Sequence, residues 1–137
     1  MLMDTVKNKT KGPHKNYRAE AMRYVENARE CLLKAAKEGD YYSDPKYVKM
    51  AGNALWNGVL LALKAKFPVK GRPDIIKYQQ AVGAVNRSKL KALNSAYNYC
   101  HLSMGYDGEL KASLSSEAFK LAVELIEWAA PDKEAVD

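Results

Sequence analysis

Apolar residues recur along most of this chain at steps of three and four, the spacing that builds one face of an α-helix. Tyr17, Ala21, Tyr24, Val25, Ala28, Leu32 and Ala35 predict a first helix from about Tyr17 to Glu38, with Gly39 as its stop. Ser43-Asp44-Pro45 is a helix start: Asp44 can accept from free backbone N–H groups, and Pro45 fits a first-turn position that needs no donor. The second helix then runs to about Lys66, with Tyr47, Val48, Ala51, Ala54, Leu55, Val59, Ala62 and Leu63 as its stripe. Trp56 and Leu60 widen that stripe, which implies contact on two sides, either within the bundle or with a second subunit. Gly52 and Gly58 each cost about 1 kcal/mol of helix propensity relative to alanine, and a close helix approach is the expected compensation.

A third helical region spans Asp74 to Met104. At 1.5 Å per residue it would be about 46 Å long against about 33 Å for the second helix, so one straight rod would overhang. Gly83 and Asn86-Arg87-Ser88-Lys89 interrupt its pattern and predict a kink or break near 83 to 88, after which Leu90, Leu93, Ala96, Tyr97, Cys100 and Met104 resume. Ser113, Ser115 or Ser116 is the expected cap of a last helix carrying Leu114, Ala118, Phe119, Ala122, Val123, Leu125, Ile126 and Ala129, closed by Pro131. No strand pattern competes. The expected architecture is all-α: a four-helix up-and-down bundle with a kinked or divided third helix, covering residues 16–131. Residues 1–15, polar, basic and without periodicity, read as a disordered arm, and 132–137 as an acidic tail.

Composition adds compartment and charge. A chain of 137 residues fits one domain with a self-sufficient core. Cys31 and Cys100 lie at apolar positions of different helices without framework spacing, which predicts free thiols in a reducing, cytoplasmic setting. The longest apolar run, Val59 to Leu63, is far too short to span a bilayer, and no membrane association is expected. The net charge of +6 is unevenly spread. Eight basic residues between Lys64 and Lys91 face a single acid, Asp74, whereas the stretch from Asp107 onward is acidic. Such a basic segment suits either a nucleic-acid backbone or the acidic helix of the same or a neighbouring subunit.

Candidate chemistry concentrates near His101, since the other histidine, His14, lies in the arm. An up-down bundle puts its first and third connections at one end, so Tyr41, Tyr42 and Tyr47 are expected to approach Tyr97, His101, Tyr106 and Asp107. That set could stack a ring and bond its polar edge, or form a self-satisfied polar cluster at a helix end. Asn53 and Asn57 share one helix face, Asn94 and Asn98 another, and the two pairs are candidates for an interhelical or intersubunit polar interface. Nucleophilic catalysis lacks parts: Cys100 and His101 are adjacent, and helical neighbours one apart point about 100° away from each other. No metal site and no cofactor are expected, because one core histidine cannot supply convergent ligands and no glycine-rich phosphate loop is present.

Ala19, Ala21, Tyr24, Ala28, Leu32, Ala35 and Ala36, then Gly39-Asp40-Tyr41 with Tyr47-Val48, and the late Tyr97-Asn98-Tyr99-Cys100-His101 run followed by Tyr106-Asp107-Gly108 give the chain an order of features that resembles the HEPN superfamily of helical bundles, and more closely a group of small bacterial four-helix proteins of unknown function. The resemblance covers about 17 to 130. It implies a bundle that often dimerises and, in active members, a ribonuclease built on an arginine separated from a histidine by four to six residues. His101 matches the histidine, but Asn94, Ser95 and Ala96 occupy the window for the arginine, and the nearest upstream arginine is Arg87. Without that cation nothing stabilises a scissile phosphate. The expected function is a non-catalytic, homodimeric binding or interaction module with a protein partner. The alternative is an RNA- or nucleotide-directed enzyme or binder using His101 and the basic 64–91 segment.

Overall fold

A computed structural model describes residues 16–69, 71 and 74–131; the arm at 1–15 and the tail at 132–137 lie outside the described residues. Helix α1, Tyr17–Ala35, starts where Asn16 accepts from the Ala19 N–H at 2.9 Å, and buries Ala21, Val25, Ala28, Leu32 and Ala35. It ends three residues before the expected Glu38. Ala36 turns the chain at φ 62°, and Lys37–Glu38 (β1) pairs antiparallel with Tyr41–Tyr42 (β2) around Gly39 and Asp40. This hairpin corrects the expectation of a chain without strands. Two residues per strand are too few for a period-two pattern, and Gly39, at φ 62°, serves the hairpin turn rather than the helix stop.

The hairpin ties the two connections at one end together. Tyr42 N–H donates to Leu110 O at 2.8 Å and Ala112 N–H to Asp40 O at 2.9 Å, as alternating helix directions require. Helix α2, Pro45–Lys66, opens with Pro45 in its first turn and Asp44 accepting from the Lys46 N–H. It packs on α1 and on the later helices, so the bundle itself supplies both of the contacts its wide stripe calls for. Both glycines mark close approaches. A Cβ on Gly58 would meet Ala21 O at 2.9 Å, and one on Gly52 would lie 2.5 Å from Cys100 O, Gly105 N and Met104 Cβ.

The third helical region is divided. Helix α3, Ile75–Val85, and helix α4, Arg87–Ala96, meet at Asn86, whose extended backbone (φ −160°, ψ 106°) breaks the rod. Asn86 serves both ends: its N–H closes α3 on Val82 O, and its side chain accepts from the Lys89 N–H. Beyond α4 the helix widens into a π-helical segment, Tyr97–Met104, continued by the Gly105 N–H donating five residues back to Cys100 O at 2.9 Å. Sequence periodicity predicts an ordinary helix there, because Ala96, Cys100 and Met104, all fully buried, recur at steps of four in either geometry. Helix α5, Ala112–Ala129, begins before any of the three candidate cap serines, so Ser113, Ser115 and Ser116 lie inside it and no side chain caps it. The hairpin carbonyl of Asp40 takes the first N–H instead.

The core runs between α2, α4, the π segment and α5 through Leu55, Leu63, Leu93, Met104, Leu125 and Ile126, all fully buried. Among the described residues the basic and acidic segments pair at the surface between neighbouring helices, where Lys89 Nζ of α4 lies 2.9 Å from Glu124 of α5. Both cysteines are free; Cys100 is buried, and Cys31 is only half-buried. Among the described residues no helix is long and apolar enough to cross a membrane.

Candidate functional site

His101 sits on the π segment one turn after Tyr97, and the two rings lie 5.2 Å apart. Trp56 of α2 completes a three-ring cluster, 5.5 Å from Tyr97 edge to face and 5.8 Å from His101. Such separations fall in the favourable range for ring pairs. The imidazole Nδ1 is buried without a hydrogen-bond partner. Next to it in sequence, Cys100 points into the core and donates from Sγ to Ala118 O at 3.6 Å. Burial pushes the Cys100 thiol up to about 12, so it stays protonated at neutral pH and is no nucleophile. Trp56 is the member that sequence reasoning read only as a flank of the α2 stripe. Its signal was its distance from Gly52: four residues on, it shares the face that meets the π segment.

The five-tyrosine cluster does not form around His101. Among the described residues the ring contacts of His101 are Trp56 and Tyr97. Tyr41 and Tyr42 are successive strand residues and point to opposite sides: Tyr41 is exposed and Tyr42 lines a separate groove. Tyr47 is half-buried beneath the Lys46 ammonium, 5.1 Å from its ring centre. Tyr106 and Asp107 face solvent. The asparagine pairs also part company. Asn94 accepts from Gln79 Nε2 at 2.9 Å, bridging α3 and α4, and Asn53 Oδ1 lies against Gly105, where a Cβ would approach it to 2.6 Å. Asn57 borders a shallow pocket with Tyr24, Leu60 and Lys64, and Asn98 is exposed. Among the described residues none of the four amides hydrogen-bonds to another, and no group of three or more His, Cys, Asp or Glu is placed to hold a metal ion.

A second site, absent from the sequence reading, lies at the hairpin end between α1 and α5. The last turns of α1, the hairpin and the first turns of α5 enclose a groove of about 730 Å³. Leu32 and Phe119 contribute apolar wall, and Leu33 stands beside them 80% exposed. Three cations border it: Arg29, Lys37 and Lys120. The Arg29 guanidinium lies 5.2 Å over the Phe119 ring and is held by Glu26 at 3.0 Å, whereas among the described residues Lys37 and Lys120 have no ion-pair partner. Three hydroxyl side chains line the same groove, Tyr42, Ser115 and the exposed Ser116. Burial raises the Tyr42 phenol above its ordinary range and keeps it a hydrogen-bond donor, and Ser115, 1% exposed, has a buried Oγ without a partner. The groove escaped sequence reasoning because its walls come from three elements. Only Lys120, a cation amid an acidic helix, marked it in sequence.

The comparisons agree with the fold and leave the chemistry open. A solved structure of a protein of unknown function from Dyadobacter fermentans is similar to this chain at 36% identity, with a TM-score of 0.78 over 83% of this chain and 92% of its own. No curated protein matches the sequence. The family model described as a domain of unknown function, DUF5618, matches residues 16–131, the whole span from the α1 cap to Pro131, and the chain therefore belongs to that family.

Proposed function

We propose that this chain is a non-catalytic, HEPN-like binding module that works as a homodimer. The observation that carries the reading is the state of His101: its ring is wedged against Trp56 and Tyr97, and among the described residues its imidazole has no carboxylate, hydroxyl or cation bonded to it. General acid–base catalysis needs a group within hydrogen-bond reach of the proton it moves, and phosphoryl chemistry needs a cation at the developing charge. Neither arrangement is built around this imidazole. The groove between α1, the hairpin and α5 supplies what a binding module needs, a concave apolar surface with a few convergent polar groups.

The homodimer rests on a different observation from the width of the α2 stripe, which the bundle consumes internally. Helix α3 packs chiefly on α4 and leaves Ile76 59% and Val85 62% exposed. Light scattering at high micromolar concentration should give twice the chain mass of 15.3 kDa. A strictly monomeric protein contradicts the dimer. Incubation with single-stranded and structured RNA should leave the RNA intact, and cleavage by the wild type that disappears in His101→Ala would overturn the non-catalytic reading.

A further inference from the structure

We infer that the groove is a site for a small amphipathic anion, an apolar body carrying a carboxylate. The inference rests on the binding-module reading and names its ligand class. Size comes first: about 730 Å³ lies within the range of clefts that take small molecules. Polarity comes next. Leu32, Leu33 and Phe119 offer an apolar wall, which selects a hydrophobic body. Lys37 and Lys120 border it with ammonium groups that, among the described residues, form no ion pair, and a lining that holds cations but no carboxylate selects an acid over a neutral or cationic head.

The strongest pointer is Ser115. It lines the groove, is 1% exposed, and its Oγ is buried without a partner. A buried polar group left unpaired costs about 1–3 kcal/mol, so a native fold keeps one where something else completes it. Ser115 lies in the first turns of α5, where the helix dipole also favours negative charge. A carboxylate bound in the groove answers the two lysines, and a turn of the Ser115 side chain toward it would complete the free hydroxyl.

The experiment uses the full chain with two anionic probes, anilinonaphthalene sulfonate read by fluorescence and decanoate read by its displacement, and decanol as the neutral control. Saturable binding of one probe per chain is expected, with decanoate displacing it and decanol at least about tenfold weaker, equivalent to ~1.4 kcal/mol. Ser116→Trp, placed on an exposed groove-lining residue, should abolish binding, and Lys120→Glu and Lys37→Glu should each weaken it about tenfold while circular dichroism stays unchanged. Failure of both anions to bind, equal binding of decanol, or binding untouched by Ser116→Trp and both charge reversals would each overturn the inference. A dimer that Ser116→Trp converts to monomer, with no probe bound by the wild type, would assign the groove to a second copy. That result would overturn the ligand while leaving the binding-module reading intact, whereas RNA cleavage dependent on His101 would remove the module reading itself.

Discussion

The His101 cluster and the α1–hairpin–α5 groove both bring polar atoms to an apolar surface. They are built in opposite ways. At His101 the backbone closes the space: Gly52 lets the π segment approach until a single added methyl would strike Cys100 O and Gly105 N, and Trp56 fills what remains. At the groove the short hairpin holds α1 and α5 apart at their ends, and the gap is lined by cations and hydroxyls rather than filled. Residues that look chemical in sequence, His101 and Tyr97, are packed ring against ring with Trp56. Residues that look like ordinary surface, Lys37 and Lys120, border the open space. A polar side chain's role depends on whether its neighbours leave room for a ligand.

If the His101 side is a packed core and the groove an open surface, substitutions should separate them by stability. Trp56→Ala should show the largest effect, a loss of about 3–5 kcal/mol in urea unfolding, because the ring is 6% exposed and its removal leaves a cavity against Tyr97 and His101. Gly52→Ala should destabilise by about 2 kcal/mol despite alanine's better helix propensity, since the new Cβ meets backbone atoms that cannot swing aside. A neutral or stabilising result there would mean that the π segment does not sit tightly on α2. On the groove side the sign should reverse. Ser115→Ala removes an unsatisfied buried hydroxyl from a helix and should raise the unfolding midpoint, by about 1 kcal/mol of stability. Leu33→Ser should be the smallest, within about 0.5 kcal/mol, because the side chain is mostly in solvent. A loss of several kcal/mol at Leu33 would place it in a covered surface and point to a second chain on the groove.

Much of the fold was legible in the sequence because local physics sets it. Asp44-Pro45 announced α2, Asn86 marked the division of the third helix, and Gly52 and Gly58 on an apolar stripe foretold close helix contacts that the bundle then makes. The hairpin, the early start of α5 and the π segment were not legible, because each depends on a partner distant in sequence. Tyr42 pairs with Leu110, Ala112 with Asp40, and the widened turn is seated on Gly52. The candidate site divided along the same line. His101 and Tyr97 were found together because they are four apart on one helix, whereas Trp56 and the groove required the packing of separate elements.

The most direct test of the account is an amide chemical-shift map of the wild-type protein titrated with decanoate. The account predicts saturable shifts confined to residues 29–42 and 112–120, with 52–56 and 97–105 unmoved. Shifts centred on Trp56, Tyr97 and His101, with the groove silent, would contradict it and return the working surface to the histidine.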